Sequence, residues 1–402
     1  MQKEILFNNR IVFLKINQNL RPAWLAEDEE IPIFLRQAWR LEDVSDALAS
    51  FRYQGQDYPA CLKTASGIKF AFDYERAIDD IRQEAYLPNR RPLSSRLPGS
   101  YRLAPAKFRI ALAKLLYQAQ KARRPENKFP QWPIDKSLEA LSYLKNLSNR
   151  IARISLWPEN KIYSFVATHD LETKEGFKDL ELLLKISRDF SVRPGVNVVT
   201  KLIEADPDRI EKIRKDGCTI GCHGYNHDNK IAFLSEQKLK GRLEKCAAYF
   251  PRYQIKGFRS PSLMRNLKLL AELKNYFLFD SSYPDTDWFS ETATPNGCGS
   301  IRPFYINGIL ELPITLPMDC SLLFMGYNHE QMLKIWLNKL EWIKQRGGMA
   351  LINIHCHRPF SLGTRVYQAY AKLLEVVTQD QQCWLATPEE IATHWQGIRR
   401  QR

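Results

Sequence analysis

The sequence predicts an α/β protein, with a parallel (β/α) barrel of seven or eight units over residues 151–402 and a smaller α+β region over 1–150. Three observations predict it. From about residue 150, short apolar runs alternate with charged stretches that carry apolar residues at helical spacing, the pattern of parallel βα units. The number of units favours a barrel over an open sheet. Polar residues able to do chemistry gather at the ends of the apolar runs, which a barrel places on one face.

The elements follow in order. Residues 5–15 hold two apolar runs split by Asn8, Asn9 and Arg10, which predicts a hairpin. A further strand is expected at 67–72. The Pro/Arg/Ser-rich stretch 87–98 cannot form a regular helix. Residues 104–122 predict a helix with Pro105 in its first turn, and the connector 124–133 closes this half. Beyond it, strands are expected at 163–168, 196–199, 218–222, 256–259, 277–280, 310–315, 349–355 and 383–386. Helices are expected at 176–189, 208–215, 236–249, 266–273, 330–345 and 365–378.

A hydrophobic content of 44% is that of a globular protein with a real core. No apolar run is long enough to cross a membrane as a helix. The N-terminus lacks the unbroken apolar segment of a secretory signal, so the expected compartment is the cytoplasm. The eight cysteines form no CxxC pair and read as reduced core thiols, Cys218 and Cys222 included. The net charge of +14 favours acidic partners: sugar phosphates, anionic glycans or an anionic membrane surface. Basic residues show no aromatic interleaving, so nucleic acid is not expected as a partner.

The chemistry gathers at strand ends. Thr168, His169, Asp170, Leu171 and Glu172 end the first run, and His223 to Asp228 follow the third. Arg259, Ser260 and Pro261 end the fourth, Asp280, Ser281 and Ser282 the fifth, and His355, Cys356 and His357 a later one. His223 and His227 are four apart on a turn. Two imidazoles with a strand-end carboxylate make an open metal site with room for water, and zinc is the default for such ligands. In an extended strand Asp170 and Glu172 share a face and His169 points elsewhere, so His169 reads as structural. His329 and His394 read as solvated. Asp280 reads first as the opening of an Asx turn with Ser281 and Ser282, and Arg259 reads also as a buried ion-pair residue. Tyr225, Tyr283, Trp288 and Phe289 are candidates for stacking on a sugar ring.

These motifs, in this order, resemble the polysaccharide deacetylase family, the NodB-homology domain of carbohydrate esterase family four. The carrying residues are His223-Gly224-Tyr225-Asn226-His227, Arg259-Ser260-Pro261, Phe279-Asp280-Ser281-Ser282 and Ile354-His355. The closest resemblance is to a bacterial branch whose first motif is Thr-His-Asp-x-(Asp/Glu), here Thr168 to Glu172. Phe129 to Pro133 is similar to a segment of its N-terminal region. The resemblance implies a partly irregular (β/α) barrel and a metal-dependent hydrolase that removes N-acetyl groups from an amino sugar or polysaccharide precursor. It implies a divalent ion, zinc by default, on His223, His227 and Asp170, with His355 as proton donor and Arg259 orienting the base. Glu172 is the alternative ligand, leaving Asp170 as base, because Leu171 stands where the commoner motif has a second aspartate. Asp280 would orient a catalytic side chain such as His355. The implied partner is an N-acetylated glycan or sugar-phosphate precursor. The alternatives are hydrolysis of another non-peptide C–N bond on the same metal site, or an inactive glycan-binding or assembly protein of polysaccharide synthesis.

Overall fold

The computed structural model describes the backbone of five strands within 2–70, pieces at 78–79, 81–84 and 95, residues 105–123, 129, 130 and 132, and residues 156–400 except 288–295, 361 and 363. Strands β1 (Gln2–Phe7), β2 (Arg10–Lys15), β3 (Ala47–Tyr53), β4 (Gln56–Thr64) and β5 (Gly67–Phe70) form an antiparallel sheet in the order β2-β1-β3-β4-β5. The expected hairpin is β1–β2, with Phe7 opposite Arg10. Helix α1 (Ala106–Arg123) follows. The stretch 87–98, apart from Ser95, and most of 124–133 lie outside the described residues.

The second sheet has nine strands: β6 (Tyr163–Leu171), β7 (Gly195–Val198), β8 (Thr219–Cys222), β9 (Gly257–Phe258), β10 (Phe279–Asp280), β11 (Phe304–Ile306), β12 (Ile309–Glu311), β13 (Met349–His355) and β14 (Cys383–Leu385). Its order is β11-β12-β10-β9-β8-β7-β6-β13, with β14 also on β6. Every pairing is parallel except β11–β12. Along one edge of β6 the partner changes. Residues 163–165 pair with β14, and 168–171 pair with β7.

The sheet curls into a partly irregular barrel rather than a fully closed one. Between β12 and β13 the chain itself bridges the gap, where Thr315 and Leu316 N–H groups donate to Leu351 O. Helices pack outside: α2 (Gly176–Asp189), α3 (Thr200–Ala205), α4 (Pro207–Lys215), α5 (Glu236–Ala247), α6 (Phe250–Tyr253), α7 (Leu267–Leu273), α8 (Asp319–Phe324), α9 (His329–Gln345), α10 (Arg365–Gln379) and α11 (Pro388–Arg400). In α2, Phe177, Leu180, Leu183 and Leu184 make the buried stripe of an amphipathic helix. Starts are fixed by local chemistry. Asp206 caps α4 with Pro207 at its first position, Asn266 caps α7, and Asn328 with Gln331 closes a capping box on α9.

The barrel's inside is layered by the two-residue period of its strands. On β6 and β13, Ser164 pairs with Met349, Val166 with Leu351, Thr168 with Asn353 and Asp170 with His355. Val166, Leu351, Phe279, Leu310 and Leu312 belong to one apolar cluster. The alternate residues Phe165, Ala167, Ala350, Ile352 and Ile354 join the cluster under the helices. Apolar filling thus gives way to polar groups toward the C-terminal strand ends.

Pieces of the preceding region dock on this barrel. Glu84 pairs with Arg265, Arg82 lies over Phe304, and Phe129 packs on Tyr327. Trp132 lies 5.4 Å from Lys339 Nζ, and Lys339 is buried in an ion pair with Asp285 at 2.6 Å.

Candidate active site

Glu172, His223 and His227 converge at one strand-end cluster, with one ligand atom from each within 4.8 Å of the others. Glu172 Oε1 stands 3.0 Å from His227 Nε2 and 3.6 Å from His223 Nε2. β8 ends at Cys222 and delivers His223 inward. Gly224, at φ 71°, turns the chain so that His227 comes back to the same point. His223 Nδ1 donates to Arg259 O at 2.9 Å, which fixes the tautomer and turns Nε2 toward Glu172. Two imidazole nitrogens and a carboxylate oxygen fit a divalent ion and leave a fourth position for water or substrate.

Asp170 is not in that cluster. The strand-end alternation brings it to the next layer down, where three side chains hold it. Its Oδ1 accepts from Asn197 Nδ2 at 2.9 Å and from Arg259 Nη1 at 3.1 Å, and its Oδ2 accepts from Asn353 Nδ2 at 2.8 Å. Of the two carboxylates expected as alternatives for the third ligand beside His223 and His227, Glu172 is the one grouped with both imidazoles, and Asp170 lies outside that group. Burial alone would push the Asp170 carboxyl up. The Arg259 guanidinium, with His223 and His355 further off, overrides this and holds it well below the usual carboxylate range.

Arg259 is fully buried, and each of its three nitrogens is hydrogen-bonded. Nε donates to Ser281 O, Nη1 to Thr168 Oγ1 and Asn353 Oδ1 as well as Asp170, and Nη2 to Ser281 Oγ, all at 2.8–3.1 Å. It ties β6, β9 and β13 together around one anion. Gly221 makes room for this arrangement, since a Cβ there would meet Asn197 Oδ1 at 2.2 Å.

His355 lies opposite Asp170 in the β6–β13 register. Its Nδ1 meets Asp319 Oδ1 at 2.6 Å, and its backbone N–H donates to Asp319 Oδ2 at 3.0 Å. Burial disfavours the charged imidazole, but Cys320 and Asp319 overcome it and raise His355 well above the usual value.

The expected partnership of Asp280 with His355 is not what forms. Asp280 pairs in register with Phe258 and Glu311, on the face opposite Phe279, so its carboxyl points away from the barrel interior that His355 faces. It accepts from Ser282 Oγ at 2.7 Å and shares a hydrogen bond with Glu311. Burial, with the Asp280 carboxylate beside it, pushes the Glu311 carboxyl well up. The carboxylate on His355 is Asp319, delivered by the chain that bridges β12 to β13.

Other expected positions resolve as follows. His169 is fully buried, donates from Nδ1 to Ile354 O, and meets Tyr370 edge-on; burial lowers it to about 4. His394 is not simply solvated, for its Nε2 bonds Leu156 O at 2.8 Å beside Trp157. Tyr283 is buried under Arg265 and presents no face to a ligand. Tyr225 is flanked by Lys201 and Lys245. Trp288 and Phe289 lie outside the described residues. The seven described cysteines are free and buried.

A carboxylate–two-histidine cluster, a clamped aspartate and an aspartate-backed histidine thus gather at the C-terminal strand ends of a curled parallel β/α sheet. The chain is similar to known proteins in the following respects. Residues 179–277 match the family model of polysaccharide deacetylase, which upholds the resemblance read from the motifs. A probable polysaccharide deacetylase from Pseudomonas aeruginosa PAO1 has the same fold at 17% identity and TM-score 0.50, covering 62% of this chain and 95% of that one. The Puue allantoinase is similar at 15% identity and TM-score 0.51, again over 62% and 95%. No curated protein matches the chain.

Proposed function

We propose that this protein hydrolyses the N-acetyl group of an amino sugar or polysaccharide precursor, with a divalent ion, zinc by default, held by Glu172, His223 and His227. The observation that carries the reading is the grouping of Glu172, His223 and His227 at the strand ends, with Asp170 two residues before Glu172, clamped by Arg259 and level with His355. A divalent ion there would polarise the acyl oxygen and lower the pKa of a bound water toward neutrality.

The chain's own residues account for the proton traffic. Asp170 uses three of about four carboxylate acceptor sites on Asn197, Arg259 and Asn353. The site left on Oδ2 receives the proton of the attacking water. Arg259 keeps Asp170 ionised and fixes its plane. His355, held protonated by Asp319, gives its Nε2 proton to the departing amine, which is otherwise too poor a leaving group.

The test is acetate release from a panel of N-acetylated sugars and sugar phosphates, with and without chelator, for wild type and His223→Ala. The expected result is release that chelator and His223→Ala both abolish. Allantoin belongs in the same panel, because the same metal site would serve a cyclic ureide. Turnover of allantoin with no acetate from any sugar would replace this reading by that one.

A further inference from the structure

Cys320 and His355 form, with Asp319, a second group of potential ligands separate from the Glu172 cluster. Cys320 Sγ lies 3.8 Å from His355 Nε2. With Zn–N of about 2.0–2.1 Å and Zn–S of about 2.3 Å, the N···S edge of a tetrahedral site is about 3.6 Å. Closing the difference needs only a small rotation of the thiol. Asp319 is committed differently: Oδ1 meets His355 Nδ1 and accepts from Cys320 N–H at 2.8 Å, and Oδ2 accepts from His355 N–H. An oxygen 2.6 Å from Nδ1 is a hydrogen-bond partner rather than a fellow ligand, so Asp319 orients the imidazole from behind. That leaves Nε2 as the ligand atom. Cys320 and His355 each keep 9% exposure, enough for an ion to arrive from the site.

We propose that Cys320 Sγ and His355 Nε2, oriented by Asp319, make a second site for a soft divalent ion of the zinc–cadmium class, inhibitory when filled. Two water molecules complete its tetrahedron. Binding displaces the thiol proton of Cys320, and a second proton wherever the imidazole was charged. An Nε2 that holds an ion holds no proton for a leaving amine, so excess zinc slows turnover. The inhibitory half rests on the role proposed for His355; the binding half does not.

The experiment titrates the full chain with Cd2+ and follows the thiolate-to-cadmium charge-transfer band in the near ultraviolet. Wild type should take up a second equivalent that brings the band. Cys320→Ser, or Cys320→Ala where the serine variant does not fold, should keep the first equivalent and lose the band. His223→Ala should lose the first equivalent and keep the band, which separates this site from the hydrolytic one. No band in wild type, or an undiminished band in folded Cys320 variants, overturns the proposal. So does a band lost in Cys246→Ser instead, which would place the ion at the buried Cys222–Cys246 pair. In parallel, excess zinc should inhibit acetate release at least about tenfold more strongly in wild type than in Cys320→Ser. Equal inhibition refutes the inhibitory half, whatever the band shows.

Discussion

Replacing Arg259 by methionine tests the electrostatic core of the site. The guanidinium is fully buried, and its three nitrogens serve Ser281, Thr168, Asn353 and Asp170. Methionine fills similar space but leaves the Asp170 anion with two amide donors and no countercharge. Removing one partner of a buried ion pair costs about 3–5 kcal/mol, and urea unfolding at neutral pH should read a loss of that order. The loss has a pH signature. In wild type Arg259 holds Asp170 below its ordinary value of 3.8, so the aspartate contributes stability above that pH and loses it as pH falls further. In Arg259→Met, burial takes over and raises the carboxyl, so the penalty is present above the raised value and relieved below it. Both effects narrow the gap between the two proteins on acidification. A loss under about 1 kcal/mol, or a gap that stays constant from neutral pH down to about 4, would refute the argument that Arg259 and Asp170 act as a charge-compensated pair.

Three further outcomes follow from the same geometry. Glu172→Gln should weaken retention of the metal, read by dialysis and metal analysis, whereas Asp170→Asn should retain the metal yet lower kcat about a hundredfold to ten-thousandfold. The reverse pattern would restore Asp170 as the ligand. His169 is lowered to about 4 by burial from an ordinary value of 6.5. The unfolded chain therefore binds the extra proton in that window, and stability should fall by about 3 kcal/mol as pH drops from 6.5 to 4. A folded His169→Gln should show a flatter urea-midpoint profile there. Asp319→Asn removes a group that holds the proton on His355, so the alkaline limb of the activity profile should move to lower pH; an unmoved limb would take Asp319 out of the proton path.

What the sequence shows and hides follows from the range of each signal. Helices such as Gly176–Asp189 were legible because a buried stripe repeats over several turns. Met349–His355 was legible because a strand covered on both faces reads as one apolar run. His223 and His227 were legible because their spacing is local. Asn353 carried a usable sign, standing two residues before His355 and hence on its face. Asn197 carried less, one polar residue among the valines of a short strand. Asp319 carried almost none. It lies 36 residues from the histidine it serves, at the start of a six-residue helix too short to show a period. Asp280 stayed open between two readings because a motif position says nothing about which face of a two-residue strand its side chain takes; the bond from Ser282 Oγ is the local one of the two.

The unclosed side of the barrel explains why that distant aspartate is the one His355 meets, and it can be tested without touching either. The chain after β12 stays beside β13 through Thr315. Its Oγ1 donates to Met349 O at 2.6 Å and accepts from Leu351 N–H at 2.8 Å, and its own N–H donates to Leu351 O. Four residues later comes Asp319. Thr315→Val keeps the shape and removes both side-chain bonds, leaving a buried Leu351 N–H without its acceptor. That should cost about 1–3 kcal/mol in unfolding. If the bridge positions Asp319, the alkaline limb of activity should also move in the direction of Asp319→Asn, by a smaller amount. A Thr315→Val protein that loses this stability yet keeps the wild-type pH profile would show that the bridge holds the barrel and leaves the His355–Asp319 pair to position itself.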